Sequence, residues 1–434
     1  MSEKIIKWGF IGCGEVTKKK SGPAFQKVEG SEVVAVMSRD GSKAKAYAEE
    51  RGIRKWYDDA QEHIDDPEVN AIYIATPPSS HATYAIMSMK AGKPAYIEKP
   101  MAVTYEECTR INRISRETGV PCFVAYYRRY LPYFIKVKQL VEEGVIGNVI
   151  NIQIRFAQPP RDLDYNRNNL PWRVQADIAG GGYFYDLAPH QIDLLQEMFG
   201  CILEASGYKS NRGGLYPAED TLSACFQFDN GLVGSGSWCF VAHESAKEDR
   251  IEIIGDKGMI CFSVFSFDPI ALHTERGREE IHIENPEHVQ QPLIQAVVDH
   301  LLGKSICTCD GESATLTNWV MGKRNGWLGG DGDQWERGPY WIDGLLPLAY
   351  ILDDDVLKAK VQPWIEWALQ SQREDGFFGP EKDYPGEPGL QRDNSQDWWP
   401  RMVVLKILQQ YYSATNDKRV VAFMTKYFRY QLNT

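Results

Sequence analysis

Three side chains of this 434-residue sequence are of types and spacings that suit acid–base chemistry. Lys99 follows an apolar run, and Asp186 and His190 are four residues apart at the start of a predicted helix, which puts these two on one helix face. A histidine with a pKa near neutrality accepts a hydroxyl proton, and a lysine cation polarises an oxygen. We therefore predict catalytic roles for Lys99 and His190, with Asp186 orienting the substrate or the imidazole. Asp and His at this spacing also form ordinary surface or capping pairs.

A glycine-containing loop follows the first predicted strand, residues 6–11. Gly12 and Gly14 stand where one glycine makes a tight turn and the next lets backbone N–H groups approach a pyrophosphate at a helix N-terminus. Thr17 occupies the third position of the pattern, where glycine or alanine is usual. The prediction of a dinucleotide site therefore rests on the position of the loop, between the first strand and a run of βαβ units.

The end of the second predicted strand bears on the choice of dinucleotide. Ser38 and Arg39 suit a 2′-phosphate, because a guanidinium binds phosphate bidentately. Asp40, the next residue, suits a free ribose 2′-hydroxyl instead. The sequence favours NADP and leaves NAD open.

A parallel sheet is needed to bring these loops together. Between residues 5 and 124, short β-branched runs alternate with helical patterns, which is typical of βαβ units. Lys99 then lies just beyond a strand's carboxyl end, at the edge where such sheets bind ligands. We expect a Rossmann domain over residues 1–125. Its predicted strands are 6–11, 33–38, 71–75, 95–98 and 122–126, and its predicted helices are 43–50, 81–91 and 105–118.

Two further regions follow. Residues 126–322 carry longer strands and turn signals typical of an antiparallel sheet, so we expect an α+β domain with a large, mostly antiparallel sheet. Residues 323–434 hold seven of the twelve tryptophans and neither cysteine nor histidine, and their pattern predicts an α-helical hairpin tail. Pro347 and Pro363 fall inside predicted tail helices and predict a kink or an early stop there. The predicted strands are 148–156, 221–228, 233–240, 250–254 and 259–264, and the predicted helices are 132–143, 186–198, 292–302, 339–352, 355–372, 400–413 and 418–432.

The overall composition excludes several classes of partner. The net charge of −11 argues against binding of nucleic acid or of an anionic membrane through the overall field. No apolar run reaches the roughly 18 residues of a membrane span and no signal-peptide pattern begins the sequence, so we expect a cytoplasmic protein. Of the nine cysteines, only Cys307 and Cys309 are close together, which predicts neither a disulfide framework nor a metal site.

Three motifs occur together in the first 320 or so residues. They are Ala75-Thr76-Pro77-Pro78, Glu98-Lys99-Pro100, and Gly180-Gly181-Gly182 followed by Asp186 and His190. In this order they resemble the Gfo/Idh/MocA family, which includes glucose–fructose oxidoreductase and inositol 2-dehydrogenase. The resemblance implies a Rossmann domain and an α+β domain whose open sheet often serves oligomerisation, so a homo-oligomer is expected.

The resemblance also implies site residues. His81 is expected beside the nicotinamide with Pro77 and Pro78, and Tyr126 borders the substrate with Arg128 and Arg129. The arginines fit a structural ion-pair role equally well. Trp172 and Arg173 are further substrate candidates. The full cofactor set is Gly12, Gly14, Glu15, Val16, Ser38, Arg39, Thr76, Pro77, Pro78, His81, Glu98 and Lys99.

The function expected from these residues is NAD(P)-dependent transfer of hydride between a nicotinamide cofactor and a hydroxyl-bearing carbon of a polyol or sugar. Two alternatives stay open. One is a glycosidase that uses tightly bound NAD for transient oxidation, and the other is a non-catalytic nucleotide-binding sensor.

The tail resembles a different family. Residues 326–341 and Asp397-Trp398-Trp399-Pro400-Arg401 are similar to part of the α-toroid domain of β-L-arabinofuranosidase-type glycoside hydrolases, family 127 and its relatives. The cysteine-rich metal site and cysteine nucleophile implied for that family have no counterpart here. The acid pairs Asp331/Asp333 and Glu336/Asp343 suit either glycoside hydrolysis or capping and solvated roles. Because the join near Gly322 falls inside a predicted helix, we interpret the tail as a fusion remnant.

Overall fold

A computed structural model describes residues 4–322, 337–380 and 399–433. The chain divides into two compact units, Met1–Met321 and Gly322–Thr434. The tail candidates Asp331, Asp333 and Glu336, and residues 397–398, lie outside the described residues.

The first unit begins with a six-stranded sheet whose strands are all parallel. Its order is β3-β2-β1-β4-β5-β6. The chain therefore adds strands on one side of β1 as far as β3 and then, from β4 onward, on the other side of β1. The strands are β1 (Ile6–Ile11), β2 (Ser31–Met37), β3 (Lys55–Tyr57), β4 (Ala71–Ile74), β5 (Ala95–Ile97) and β6 (Cys122–Val124). The helices are α1 (Glu15–Lys19), α2 (Ser21–Lys27), α3 (Gly41–Arg51), α4 (Ala60–Asp65), α5 (His81–Lys90) and α6 (Tyr105–Thr118).

Local signals fix where these elements begin and end. The Asp40 side chain caps α3 by accepting from two backbone N–H groups, and Thr104 forms a capping box with Glu107 at α6. Gly52 and Gly119 end the same two helices in the left-handed conformation. Because the strands are parallel, the loops after β1, β2, β4 and β5 meet at one edge of the sheet.

The second sheet of the first unit has eight strands in the order β14-β13-β12-β11-β7-β10-β9-β8. Strands β7 and β10 pair in parallel, and the other neighbours are antiparallel. Alternation in β10 buries one face and exposes the other. The strands are β7 (Val149–Ala157), β8 (Ile202–Ser210), β9 (Thr221–Phe228), β10 (Val233–Cys239), β11 (Glu248–Gly255), β12 (Gly258–Phe262), β13 (Ile270–Thr274) and β14 (Gly277–Ile281).

Helices complete the first unit. Among them, α9 (Tyr183–Phe199) starts directly after Gly182 and carries Asp186 and His190 near its N-terminus. Trp238 of β10 donates to Gln191 of α9 (2.7 Å), which ties the sheet to this helix. The others are α7 (Pro132–Glu142), α8 (Ala176–Ala179), α10 (Gln291–Leu301) and α11 (Gly311–Gly322).

A late segment of the first unit returns to the parallel sheet. Val124 of β6 donates to the carbonyl of Cys309 (2.9 Å), and Asn318 of α11 donates to the carbonyl of Ala102 (2.9 Å). Asn112 of α6 donates to the carbonyl of Gly311 (3.1 Å). The parallel sheet and its helices are therefore completed by residues about two hundred positions further along the chain.

The second unit contains four helices within its described residues. They are α12 (Arg337–Ile351), α13 (Asp355–Gln370), α14 (Trp399–Thr415) and α15 (Lys418–Asn433). Apolar residues such as Ile342, Ile365 and Leu408 form a core of their own. Neither α12 nor α13 stops at its internal proline, so the expectation of an early stop at Pro347 or Pro363 is wrong.

The predicted fold class is confirmed: a parallel Rossmann sheet, a mostly antiparallel second sheet and C-terminal helices. Strands β3, β8, β13 and β14 and helices α2, α4 and α8 were not expected from the sequence.

Candidate functional site

A cleft of about 810 Å³ lies along the carboxyl edge of the parallel sheet and reaches α9. It brings together sixteen of the residues predicted from the sequence, from the nucleotide loop to the catalytic candidates. They are Gly12, Gly14, Glu15, Val16, Ser38, Arg39, Thr76, Pro77, Pro78, Glu98, Lys99, Arg128, Trp172, Arg173, Asp186 and His190.

The loop after β1 approaches its surroundings closely at one glycine and leaves space at the next. Gly12 has a φ of +114°, and a Cβ there would lie 2.6 Å from the carbonyl oxygen of Ala75, so only glycine fits without strain. A Cβ at Gly14 would meet no atom of the described residues within 4 Å. The loop therefore leaves room beside Gly14 for a ligand to approach the backbone, as a pyrophosphate requires.

Thr17 fits the loop despite its departure from the usual pattern. Its hydroxyl donates to the carbonyl of Gly14 (2.8 Å), and its own carbonyl accepts from Tyr47 (2.9 Å). The threonine thus stabilises the loop through hydrogen bonds, where a smaller residue would ease helix packing.

Beyond β2, the acidic residue is used by its own helix. One oxygen of Asp40 accepts from the backbone N–H (3.1 Å) and hydroxyl (2.5 Å) of Ser42. Arg39 is exposed and forms no ion pair with any described residue. Lys43, on the first turn of α3, also lines the cleft. This end of the cleft therefore contains the cations Arg39 and Lys43 and the carboxylate of Asp40, which accepts from Ser42 and pairs with Lys43 (3.5 Å).

Lys99, Asp186 and Arg173 form one charged network at the other end of the cleft. Lys99 donates to a carboxylate oxygen of Asp186 (2.6 Å) and to its backbone carbonyl (2.5 Å). Arg173 binds the second carboxylate oxygen (3.0 Å). Burial raises the pKa of Asp186, but the charges of Lys99 and Arg173 outweigh it and bring that pKa to about 2. Asp186 therefore remains ionised and holds the lysine at a fixed place in the cleft.

His190 lies in an aromatic enclosure beside this network. The ring of Tyr127 is 5.4 Å and that of Phe265 6.0 Å from its imidazole. Burial, then the charges of Arg128 and Lys99, lower its pKa well below the usual value of 6.5, so the imidazole is neutral at pH 7. Its Nδ1 is buried and has no hydrogen-bond partner among the described residues. Among the described residues, Asp186 forms hydrogen bonds with Lys99 and Arg173 and none with the imidazole.

Glu98 belongs to a buried network that sequence reasoning missed. One of its carboxylate oxygens accepts from Tyr73 (2.5 Å) and from Gln290 (2.9 Å). The hydroxyl oxygen of Tyr73 also lies 2.9 Å from that of Ser21. Both Glu98 and Gln290 line the cleft. No local pattern marks Gln290, because it lies 192 residues from Glu98 in the sequence.

His81 and Tyr126, both predicted as site residues, do not line the cleft. His81 is fully buried, and its ring nitrogens lie 2.8 Å from the carbonyl oxygen of Thr76 and 3.0 Å from that of Pro100. His81 therefore connects the loop that carries Thr76 with the loop that carries Pro100. Tyr126 is also buried and packs edge-on against His190, while Tyr127 lines the cleft in its place.

The two neighbouring arginines have different roles. Arg129 binds Asp193 (2.7 Å) and Glu197 (3.0 Å), a structural ion-pair network. Arg128 lines the cleft. Of the two roles that the sequence left open, Arg129 therefore has the structural ion pair and Arg128 has the position beside the cleft.

The described residues lack two features. They contain no group of three or more His, Cys, Asp or Glu side chains placed to hold a metal ion. None of their helices combines the length and apolar character of a membrane span.

Comparison with known families gives two matches. Residues 6–126 match the oxidoreductase family with an NAD-binding Rossmann fold, and residues 134–261 match the GFO/IDH/MocA C-terminal domain. The nucleotide loop and the Glu98-Lys99-Pro100 motif lie in the first match, and α9 lies in the second.

Individual oxidoreductases are also similar to this chain. Oxidoreductase P35 of Formosa agariphila is 39% identical over 321 residues, which are 74% of this chain and 98% of that protein. The scyllo-inositol 2-dehydrogenase (NAD(+)) of Bacillus subtilis is 25% identical over 63% of this chain and 79% of its own length. A structure of levoglucosan dehydrogenase with NADH and levoglucosan shares the fold, with a TM-score of 0.66 and 23% identity over 73% of this chain and 94% of that one. The chain belongs to the Gfo/Idh/MocA family of oxidoreductases.

Proposed function

We propose that this protein transfers hydride between NAD(P) and a hydroxyl-bearing carbon of a polyol or sugar. The observation that carries the proposal is that Lys99 and His190 line the same cleft as the glycine loop. An inositol dehydrogenase and a levoglucosan dehydrogenase among the similar proteins support this substrate class. The bound nicotinamide supplies or accepts the hydride.

In the proposed mechanism, His190 is the general base. Its imidazole is neutral at pH 7, and because Nδ1 is buried, Nε2 takes the substrate's hydroxyl proton. Lys99 binds the same oxygen and stabilises its developing negative charge. Asp186 holds the lysine in place, and the rings of Tyr127 and Phe265 shield the imidazole from water.

NADP is the proposed preferred cofactor. Ser38, Arg39 and Lys43 offer donors and positive charge to a 2′-phosphate. The carboxylate of Asp40 is engaged with Ser42 at the start of α3, so it is less suited to bind ribose hydroxyls.

The test is to incubate the protein with NAD or NADP and a panel of polyols, aldoses and aryl glycosides. Reduction of the cofactor is measured by the absorbance of its reduced form. We expect net reduction with polyols or aldoses. Release of aglycone without net reduction would instead support a glycosidase with transient oxidation, and binding alone would support a sensor.

Two variants test the assigned residues. Lys99→Ala and His190→Ala are each expected to lower kcat/KM by about 10²–10⁴-fold, the usual size of an acid–base contribution, with cofactor binding retained. The exposed Lys90→Ala and His243→Ala serve as matched controls. Unchanged turnover in both test variants would exclude the mechanism.

We also propose a homo-oligomer formed through the exposed face of the second sheet. That face carries Ser206, Ser223 and Ser235 in a shallow groove, and small side chains let a second sheet approach closely. Light scattering gives the mass in solution, and a monomer at micromolar concentration would contradict the proposal.

For the second unit, we propose a helical module of the α-toroid type that is not needed for hydride transfer. Its helices form a core of their own, which supports an independent module.

A further inference from the structure

Arg128 is a buried cation without an acidic partner among the described residues. Its side chain belongs to a residue that is 4% exposed. Nε donates to the carbonyl of Val264 (3.0 Å), and Nη1 is buried without any hydrogen bond to the described residues. Its neighbour Arg129, by contrast, binds two carboxylates. Because burying an uncompensated charge is costly, Arg128 is suited to a ligand that supplies the missing negative charge.

The position of Arg128 places that ligand at the reacting end of the cleft. Its guanidinium lies 4.9 Å from the ring of Tyr127 and 4.6 Å from the ring of Phe265. The same two rings enclose His190. An anion bound by Arg128 is therefore a neighbour of the proposed general base.

The other charges at this end of the cleft do not neutralise Arg128. The carboxylate of Asp186 forms ion pairs with Lys99 and Arg173. One carboxylate oxygen of Glu98 accepts hydrogen bonds from Tyr73 and Gln290. Hydroxyl groups of a neutral sugar satisfy N–H donors but leave the charge uncompensated, whereas a carboxylate does both through charge-assisted bonds.

We propose that the substrate is a sugar acid whose carboxylate binds Arg128 close to the carbon that is oxidised. This inference rests on the proposed hydride transfer. In the reaction, the C–H bond of the carbinol breaks and its electron pair passes to oxidised NAD(P), which is reduced. The O–H bond breaks, its proton passes to His190, and a C=O bond forms. The carboxylate is unchanged.

The experiment compares matched acid and neutral compounds: D-gluconate with D-glucitol, and D-glucuronate with D-glucose. We expect kcat/KM of the full-length protein to favour the acid of at least one pair by roughly 10- to 100-fold, the size of a hydrogen bond to a charged group. Arg128→Met, which keeps the volume and removes the charge, is expected to abolish this preference and leave the dissociation constant of the cofactor unchanged. Arg128→Lys is expected to restore part of the preference.

Equal turnover of acid and neutral compounds by the unmodified protein would overturn the inference and leave the hydride-transfer function standing. So would an equal loss for both compounds of a pair in both variants, because that indicates a structural role. If no compound is oxidised, binding of the same four compounds is measured by calorimetry with NADP present. Tighter binding of an acid, lost in Arg128→Met, then supports the anion site while the proposed function fails, and equal binding overturns the inference.

Discussion

The charge state of His190 determines the pH at which the proposed base works. Its pKa is lowered by burial and by the cations Arg128, Lys99 and Lys20. The neutral imidazole accepts the proton, so its protonation at low pH stops oxidation. Because the shift is downward, the midpoint of this loss lies below the ordinary value of 6.5.

The prediction is a fall of kcat/KM for oxidation on the acid side of pH 6.5, with a midpoint below that value. The measurement is the pH profile of kcat/KM in the oxidative direction, with protein stability checked at each pH. A midpoint at or above 6.5 in a folded enzyme would contradict the role of His190.

In the proposed site, we expect Arg39 to determine the choice between NADP and NAD. Since Arg39 has no ion-pair partner among the described residues, its guanidinium is available to a 2′-phosphate. Arg39→Ala is expected to raise the dissociation constant of NADP by roughly 10- to 100-fold and to leave that of NAD nearly unchanged. Fluorescence titration with both cofactors measures this, with the exposed Arg54→Ala as control. Equal effects on the dissociation constants of the two cofactors would show that Arg39 does not bind the 2′-phosphate.

At the scale of elements, the two glycines of the loop between β1 and α1 allow an effect on stability to be distinguished from an effect on cofactor binding. Gly12→Ala forces a Cβ against the carbonyl of Ala75 at a positive φ, which costs about 1–3 kcal/mol of strain. Gly14→Ala meets no described atom, yet it fills space beside the backbone in the cleft. We expect the first variant to lower both Tm and cofactor affinity, and the second to lower affinity at unchanged Tm.

Thermal unfolding and cofactor titration of the two alanine variants measure these effects. Gly52, a helix-ending glycine with no described atom within 4 Å of an added Cβ, supplies a control in Gly52→Ala, which strains the backbone away from the cleft. Full cofactor affinity in Gly14→Ala would show that the dinucleotide does not approach this loop.

Most inner strands of the fold were predictable, whereas the edge strands β3, β8 and β14 and the inner strand β13 were not. Strand β1 was predicted with the bounds that the structure has, because its apolar run is buried by neighbours on both sides. Strands β3 and β14 lie at sheet edges and β8 at the opposite edge of the second sheet. The residues of β8 and β14 are largely exposed, as at Tyr208, and β3 has only three residues, so none of the three strands shows a hydrophobic alternation that a pattern can detect.

The site was predictable where a residue follows a strand end or shares a helix face. Lys99, Asp186 and His190 follow such rules and line one cleft. Tyr126 and Tyr127 stand at the start of a short 3₁₀ turn, where no period tells which ring faces the ligand. Gln290 reaches Glu98 only through the tertiary fold.

At the scale of the whole molecule, the two units have separate cores. The first core extends to Met321, and the second includes residues from Ile342 onward. A chain of residues 1–322 is expected to fold and to keep kcat/KM within about twofold of the full chain, since differences below about 0.5 kcal/mol are ordinary for changes outside a core. The comparison uses thermal unfolding and cofactor reduction. An insoluble or inactive truncated chain would show that the tail is required.

The late segment that returns to β6 has a consequence for protein synthesis. The strand edge at Val124 stays unpaired until Cys309 has left the ribosome, because that residue supplies the backbone acceptor. At about 5–20 residues per second, the 185 residues from Ala125 to Cys309 require roughly 10 to 40 seconds. The nucleotide domain therefore matures only late in translation. During that interval its open edge is exposed to neighbouring chains and is a substrate for chaperones.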